Sequence, residues 1–270
     1  MRRRVPVVNG IFYPDNRETL TNQLASWGLK NGSNISAPGG QVIIAPHGAW
    51  DISGNIAGAA FASVRVRGIR RVILLGPCHS FDEEGIYLSE SDFFETPLGD
   101  LPVDLKLTRK LASCSTVIKV NDIPHLSEHS LEVLLPLVKY CLGGVKIVPI
   151  LASGNRPVLI SGLAKALRII LEEHMEESLL VISSNISRSP DPALALSMAE
   201  EFRSIISNMD TGAFLARLAE GRINACGGAL IAALLESGLL DGKHFSALTS
   251  LAHGTGEDGQ TVYYGAFAAV

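Results

Sequence analysis

The sequence predicts an α/β fold in a single domain, residues 1–270, with helices on both faces of a central, mostly parallel β-sheet. Three observations predict it. Short runs of β-branched and other apolar residues alternate with segments of helical periodicity. Apolar residues make up 47% of the 270 residues and charged residues only 19%, which is typical of a chain that buries a sheet. Several helical segments open with Asp, Ser or Pro, which favour a helix start.

The predicted elements follow in a regular order. A stretch rich in Gly, Ser, Asn and Pro, residues 31–40, is expected to separate an N-terminal helix from the sheet. Four apolar runs predict strands, the last three buried on both faces: 42–44, 72–75, 145–151 and 179–182. Helical periods predict six helices: 56–64, 105–111, 131–140, 157–173, 192–206 and 230–235. Two last strands, 246–251 and 262–267, are expected to close the sheet at its end.

Charge and composition argue against several classes of function. The net charge is −4 and most basic residues are scattered, so no nucleic-acid partner is expected. No stretch approaches the roughly 20 apolar residues of a membrane-spanning helix, so no membrane association is expected. The basic cluster at 2–4 does not predict a signal peptide, because the apolar run behind it breaks at Asn9-Gly10 without a cleavage site. We therefore expect a cytoplasmic protein.

The cysteines are far apart in the sequence, at Cys78, Cys114, Cys141 and Cys226. Neither a C-x-x-C pair nor a disulfide framework is present, so we expect free thiols in a reducing compartment.

Polar residues follow three of the predicted strands. His47 and His79 come just after two of them, and Ser183-Ser184-Asn185 follows a third. Since parallel strands present their carboxyl ends at one edge of a sheet, both imidazoles are expected at the same edge. Either histidine alone would be explained by a hydrogen bond to loop backbone. Two at matched positions instead predict half of a transition-metal site.

Cys226 is the best candidate for a third ligand. It lies between Asn224 and Gly228, directly before a predicted helix whose N-terminal dipole favours the thiolate. The thiolate is the form that binds metal or attacks electrophiles. The alternative is a small buried thiol at a tight helix entry.

Residues 125–129 match H-x-x-E-H, the inverted zinc-protease pattern. That chemistry needs both histidines on one helical face, whereas Pro124 and the serines that follow suggest that a helix only begins here. We therefore expect His129 to orient a neighbouring group or to face the pocket. No G-x-S-x-G or P-loop motif is present, so a serine hydrolase or P-loop NTPase is not expected.

The chain as a whole resembles the Memo family, whose bacterial and archaeal members are called AmmeMemoRadiSam system protein B. Seven segments carry the resemblance in order: Gly10-Ile11-Phe12-Tyr13-Pro14, Ala45-Pro46-His47 with Ser53-Gly54, Leu75-Gly76-Pro77-Cys78-His79, Thr96-Pro97-Leu98-Gly99, Glu128-His129-Ser130-Leu131-Glu132, Ile147-Val148-Pro149-Ile150 and Ala225-Cys226-Gly227-Gly228.

The resemblance implies a LigB-like fold, that of class III extradiol dioxygenases. It implies a metal, iron or copper, held by two histidines and a cysteine at positions matching His47, His79 and Cys226. Zinc suits the same donors. The resemblance also implies redox chemistry, a functional link to radical-SAM and AMMECR1-like proteins, and, from animal members, binding of phosphorylated peptide.

The sequence departs from the family pattern at positions near this site. Where the family usually has Ser-Ser-Asp and a His three residues later, the chain has Ser183-Ser184-Asn185 and then Arg188. A carboxylate and an imidazole are lost, and the added guanidinium repels cations but binds carboxylates or phosphates. The family's Ala-Gly-Tyr after the first histidine is Gly48-Ala49-Trp50 here.

Three functions stay open. In the first, a metal-dependent oxidoreductase of dioxygenase-like type binds its metal through His47, His79 and Cys226. Catalytic roles then go to Cys226, His129 and Asn185, and substrate-binding roles to Arg188, Trp50, Ser183 and Ser184. In the second, the same pocket binds a small-molecule, anionic or peptide ligand without turnover. In the third, Cys226 is a nucleophile activated by a histidine, without metal.

Overall fold

The computed structural model describes residues 1–29, 40–64, 68–256 and 258–270. In chain order, the strands are β1 (Arg3–Arg4), β2 (Val42–Ala45), β3 (Arg71–Pro77), β4 (Gly85–Leu88), β5 (Phe93–Phe94), β6 (Leu101–Pro102), β7 (Ile118–Val120), β8 (Lys146–Ser153), β9 (Ser178–Ser183), β10 (Ser187–Ser189), β11 (Phe245–Ala247), β12 (Ala252–Thr255), β13 (Thr261–Tyr264) and β14 (Phe267–Ala269). The α-helices are α1 (Arg17–Ser26), α2 (Asn55–Ala62), α3 (Leu105–Cys114), α4 (Ile123–Ser127), α5 (Leu135–Leu142), α6 (Pro157–His174), α7 (Pro192–Ser207), α8 (Thr211–Ala219) and α9 (Gly228–Glu236). A π-helical turn, Trp50–Gly54, leads into α2, and short 3-10 segments, Glu132–Leu134 and Met175–Glu177, precede α5 and follow α6.

Eight strands form the central sheet, in the order β11-β14-β2-β9-β3-β8-β4-β7. The four in the middle, from β2 to β8, are parallel. Antiparallel pairs flank them on both sides, with β14 against β2 and β4 against β8. Two small sheets, β1-β5-β6 and β10-β13-β12, lie beside the central one.

Alternate residues of the central strands supply the two hydrophobic cores. On β3, Ile73 and Leu75 pack in the core that contains side chains of α3, α6, α7, α8 and α9. Val72 and Leu74 point to the opposite face and pack with α1, α2 and α5. The uninterrupted apolar run of this strand is therefore explained by burial on both faces.

The predicted fold class is confirmed: a large, mostly parallel sheet lies between helical layers. The first four predicted strands and all six predicted helices are present, with ends shifted by a few residues. An N-terminal helix, α1, is also present, whereas nearly all of the predicted 31–40 linker lies outside the described residues.

The structure corrects the predictions in three regions. Residues 246–251 do not form one strand: β11 of the central sheet ends at Ala247, and β12, in a small sheet, begins at Ala252. Residues 262–267 do not form one strand: β13 belongs to a small sheet, and the chain then turns at Gly265 before β14 joins the central sheet. A side chain at Gly265 would collide with Ile186, whose Cδ1 atom lies 2.4 Å from the position of a Cβ. The 131–140 helix begins as a 3-10 turn, and its α-helical part starts one residue before Pro136, which has no N–H to donate and is tolerated only in a first turn.

Strand order places three loops at one edge of the sheet. Strand β9 lies between β2 and β3, and the register pairs Ala45 with Ser183 and Leu75 with Ile182. The residues that follow these three strands therefore meet at the carboxyl edge. Among the described helices, none combines the length and the apolar character needed to cross a membrane.

Candidate metal centre

Three electron-pair donors converge at the carboxyl edge of the sheet. His47, His79 and Cys226 each direct one ligand atom inward, and these atoms lie within 4.8 Å of one another. The Sγ atom of Cys226 is 3.3 Å from Nε2 of His47, and the two imidazole rings lie 5.3 Å apart between centroids. The structure thus brings together the three residues that the strand ends and the helix entry predicted.

A buried serine orients His47. The Ser183 hydroxyl donates to the carbonyl of Ser130 at 2.6 Å, so its oxygen is left to accept from Nδ1 of His47, 2.7 Å away. The Nδ1 atom therefore carries a proton, and Nε2 is the nitrogen that faces Cys226. Such a fixed tautomer is typical of a metal-binding histidine.

A buried carboxylate orients His79. Oε1 of Glu128 lies 2.9 Å from Nδ1 of His79, and Oε2 accepts the backbone N–H of the same residue at 2.5 Å. Oε1 also accepts the N–H of Ser130. Burial raises the pKa of Glu128, but the bonds from His79 and Ser130 outweigh it and lower the pKa to about 2. The residue is therefore ionised and leaves Nε2 of His79 directed at the cysteine.

The loop before α9 holds Cys226 against the end of β9. The backbone N–H of Asn185 donates to Sγ at 3.0 Å. The N–H of Gly227 donates to the Ser184 hydroxyl at 2.9 Å, and a Cβ at Gly227 would lie only 2.7 Å from the Ser183 carbonyl oxygen. Only glycine permits this close approach.

Charge in the cluster is shared between the thiol and the imidazoles. Burial raises the pKa of the Cys226 thiol, but the neighbouring His47 and His79 outweigh burial and lower it to about 5. Burial lowers the pKa of His79, but hydrogen bonds with Cys226 and Glu128 raise it to about 10. The geometry therefore favours a thiolate at neutral pH.

These residues fit a transition metal. Two imidazole nitrogens and a thiolate are the donors that iron, copper and zinc accept, and acceptors behind each ring fix the free nitrogen. A second group is formed by His79, Glu128 and His129, whose ligand atoms also lie within 4.8 Å of one another. Both Glu128 oxygens there already accept hydrogen bonds, so this second group is the poorer metal site.

His129 lies in the cluster without belonging to the better donor set. Its ring stacks on His79 at 5.0 Å and meets the rings of His47 and Phe12 edge-on at 5.7 and 5.1 Å. Burial, and then the charge of His47, lowers the pKa of His129 to about 4. A neutral imidazole therefore flanks the donors.

The residues after β9 contribute to the centre mainly through hydrogen bonds to the backbone around the metal donors. The Asn185 side chain accepts the backbone N–H of His47 at 3.2 Å, and the Ser184 hydroxyl donates to the Asn185 carbonyl. With Ser183 behind His47, this segment links two of the donors. In the described residues, these bonds place Ser183 and Ser184 in supporting positions rather than against a substrate.

Trp50 does not lie where we expected it. Its indole is 3% exposed, donates to the Val133 carbonyl and packs against Tyr13 and Trp27. The π-helical turn that carries Trp50 directs the ring into the core. This placement argues against the substrate contact that the sequence suggested.

Arg188 lies on β10, and its guanidinium forms an ion pair with Asp258. The side chain is 48% exposed. Its backbone N–H and carbonyl are both hydrogen-bonded by the side chain of Asn224, two residues before Cys226. The fixed cation is therefore already neutralised by a carboxylate, contrary to the free anion clamp that we expected.

The H-x-x-E-H segment does not form a single helical face. Helix α4 ends at Ser127 and Glu128 is extended, with φ −82° and ψ 129°. His125 is buried and donates through Nε2 to the carbonyl of Tyr87 at 3.1 Å, while His129 faces the cluster. The two histidines therefore lie in different surroundings, which excludes the inverted zinc-protease geometry.

Sequence reasoning assigned no role to two residues of this site. Glu128 was visible only as part of short motifs, and a carboxylate beside a loop histidine could have suggested an orienting role. Tyr264 on β13 packs its ring against Gly48, where a Cβ would lie 2.9 Å from the ring. Burial raises the pKa of Tyr264, as does the nearby Cys226 thiolate. No motif in the sequence around Tyr264 indicated that it lies near the site.

Comparisons with known proteins agree with this architecture. The family model described as Memo-like protein matches residues 4–267. A MEMO1 family protein of Thermotoga neapolitana is 28% identical over 267 residues, which cover 94% of this chain and 93% of the relative. MEMO1 family protein C4H3.04c of Schizosaccharomyces pombe is 34% identical over 187 residues, covering 65% of this chain and 58% of the relative.

Among solved structures, the uncharacterized protein JW3007 from Escherichia coli K12 superposes with a TM-score of 0.56 at 14% identity, covering 83% of this chain and 98% of that one. The likeness shows a shared fold. Since the family model spans nearly the whole sequence, the chain belongs to the Memo family.

Proposed function

We propose that this protein is a metal-dependent oxidoreductase in which His47, His79 and Cys226 hold one iron or copper ion. The observation that carries the proposal is the convergence of three donor atoms within 4.8 Å. In both imidazoles Nδ1, the nitrogen away from the centre, is hydrogen-bonded to an acceptor, Ser183 for His47 and Glu128 for His79. When bound, either metal supplies one-electron chemistry and polarises a bound substrate. Zinc suits the same donors but has no redox chemistry.

The chain's own residues prepare the site for a cation. Glu128 is ionised and holds His79, and the Ser183 hydroxyl holds His47. The thiolate of Cys226 supplies negative charge to the donor set. His129 is neutral at pH 7 and stands beside two of the donors, where its imidazole can hydrogen-bond a bound substrate.

Metal content tests the first half of the proposal. Protein without a histidine tag is incubated anaerobically with iron(II) or copper(I), desalted and analysed for metal. We expect close to one ion per chain in wild type and almost none in His47→Ala and Cys226→Ser. His174→Ala and Cys114→Ser, which remove a half-buried imidazole and a half-buried thiol outside the cluster, should bind as wild type does.

Oxygen uptake tests the second half. The metal-loaded protein is mixed with catechol as the probe substrate and oxygen consumption is followed. Uptake that disappears in Cys226→Ser supports the oxidoreductase. Stoichiometric metal without uptake would leave a metal-binding protein, and an empty wild type after both incubations would overturn the metal centre itself.

A second candidate function, a metal-free cysteine nucleophile, is favoured by one observation. Sγ of Cys226 accepts an N–H from Asn185 at 3.0 Å and lies 3.3 Å from the His47 imidazole, as in thiolate–imidazole pairs that attack electrophiles. In metal-free protein at pH 7, iodoacetamide should then modify Cys226 much faster than Cys114. If iodoacetamide reacts with both at equal rates, the nucleophile is excluded.

Non-catalytic binding of an anionic ligand has weaker support. We expected the guanidinium of Arg188 to bind the anion, but this group already pairs with Asp258. An anion would have to displace that carboxylate.

A further inference from the structure

Arg4 is buried although it closes a basic cluster at the start of the sequence. Its side chain is 2% exposed. Nε donates to the carbonyl of His125 at 2.9 Å, and Nη2 donates to the carbonyl of Glu128 at 2.7 Å. One guanidinium therefore binds the backbone on both sides of the turn at which α4 ends.

The charge of Arg4 is matched by Glu132, whose side chain is 1% exposed. The Glu132 carboxylate forms an ion pair with Nη1 and also accepts the N–H groups of Val7 and Val8 and the hydroxyl of Tyr13, at 2.9–3.0 Å. This carboxylate is therefore fully hydrogen-bonded, as a buried charge must be. The pair fastens the N-terminal segment across residues 125–132.

The backbone that Arg4 binds carries two groups that contact His79. Between α4 and the 3-10 turn, Glu128 binds His79 through its carboxylate, and His129 stacks on the same imidazole. Ser130 anchors this loop to the sheet by donating to the Pro77 carbonyl at 2.7 Å. Arg4 supplies the anchor on the other side, at the carbonyl of Glu128 itself.

The same N-terminal segment also contacts His129, through Phe12. Phe12 meets the imidazole edge-on at 5.1 Å, and the backbone of Phe12 accepts the N–H of Trp50 at 2.8 Å. The N-terminal segment that Glu132 binds, at Val7, Val8 and Tyr13, therefore also contacts the ring that stacks on His79.

We propose that Arg4 is a positioning residue for the metal centre, holding the Glu128 carboxylate at Nδ1 of His79 through its bonds to the His125 and Glu128 carbonyls. The inference rests on the proposed metal-binding function. If Arg4 had only the structural role of a buried ion pair, its loss would lower the stability of the fold but leave metal affinity unchanged. Loss of a positioning residue would lower metal affinity as well.

The variant Arg4→Lys separates the two roles. A lysine ammonium keeps the positive charge beside Glu132 but lacks the planar fork that reaches both carbonyls at once. Arg71→Lys is the matched control, because Arg71 is 15% exposed and pairs with Glu177 and Asp104 at the opposite end of β3. Both variants are compared with wild type for Zn²⁺ affinity by chelator competition, since zinc is redox-silent.

We expect Arg4→Lys to lower Zn²⁺ affinity by about tenfold or more, as loss of outer-shell support does. Arg71→Lys should keep wild-type Zn²⁺ affinity even if its unfolding midpoint falls as far as that of Arg4→Lys. Equal Zn²⁺ affinity in the Arg4 and Arg71 variants would overturn the proposal. If Arg4→Lys does not fold, Phe12→Leu, which removes only the ring against His129, should show a smaller loss of affinity, and wild-type affinity there would count against the proposal.

A second readout needs no metal. In protein labelled with ¹⁵N-histidine, a hydrogen bond to Glu128 should protect the Nδ1–H proton of His79 from exchange. We expect this signal in wild type and Arg71→Lys and its loss in Arg4→Lys. If wild type binds no zinc, iron or copper, the metal proposal fails while this measurement still decides the role of Arg4: a signal that persists in Arg4→Lys overturns it.

Discussion

Nε2 of His47 lies 3.3 Å from Sγ of Cys226, although 179 positions separate the two residues in the chain. The contact depends on β9, which lies beside β2 and leads into Asn185. The backbone N–H of Asn185 binds the sulfur, and its side chain binds the backbone of His47. Sheet order therefore creates the centre, and each donor can be tested through the residue that supports it.

Glu128→Gln should weaken metal binding by about 10–100-fold, the usual cost of losing the acceptor behind a metal-binding histidine. Glutamine keeps the size of the side chain but removes the charge, and its amide cannot accept every N–H that the carboxylate accepts from His79 and Ser130. Zn²⁺ affinity by chelator competition is the measurement. Glu173→Gln, an exposed carboxylate paired with Lys110, is the control and should leave the affinity unchanged. Wild-type affinity in Glu128→Gln would show that His79 needs no acceptor.

Ser183→Ala should lower both stability and metal affinity. The change leaves the Ser130 carbonyl and Nδ1 of His47 without their partner, and each buried polar group so left costs about 1–3 kcal/mol. The free energy of unfolding comes from urea denaturation, and affinity comes from zinc competition. Ser187→Ala is the matched control, because Ser187 is another buried serine whose hydroxyl donates to a carbonyl, that of Ala195. It should lose stability alone. If both variants bind zinc equally well, Ser183 does not orient His47.

Much of the fold could be predicted because buried parallel strands leave a local signal. The apolar runs of β2, β3 and β9 and the polar residues that follow them are contiguous in sequence, so His47 and His79 could be placed at one edge. Glu128 could not be assigned because its position depends on a loop held by a distant residue, Arg4. Tyr264 could not be assigned because its position depends on the pairing of β13 with β10 and β12. Trp50 was misplaced because a π-helical turn, which has no simple sequence signature, directs its ring inward.

The stability of the metal-free protein should pass through a plateau with pH. The pKa of Cys226 is lowered from 9.0 to about 5, so its contribution is full above pH 9 and is lost as pH falls through 5. The pKa of His79 is raised from 6.5 to about 10, so its contribution is full below pH 6.5 and is lost as pH rises through 10. Between 6.5 and 9 the folded and unfolded states bind the same number of protons at this pair.

The plateau is checked by urea unfolding of metal-free protein from pH 5 to 10. Wild type should lose stability on both sides of the plateau, toward pH 5 and toward pH 10. Cys226→Ser should lose the acid-side slope that belongs to the thiolate. If the variant follows the wild-type curve at every pH, the thiolate makes no contribution to stability.

Metal binding at neutral pH should release close to one proton per ion. In the metal-free protein His79 binds Glu128 through Nδ1, and its raised pKa indicates that Nε2 carries a proton that faces the thiolate of Cys226. A metal ion takes that position only if the proton leaves, because a ligand nitrogen must offer its lone pair. Titration calorimetry with Zn²⁺ at pH 7.5, repeated in buffers of different ionisation enthalpy, counts the protons. In Cys226→Ser the pKa of His79 loses one of the two anions that raise it, so fewer protons should be released for any ion that still binds. Release of no proton by wild type would mean that Nε2 is already free and that the thiolate–imidazolium pair does not form.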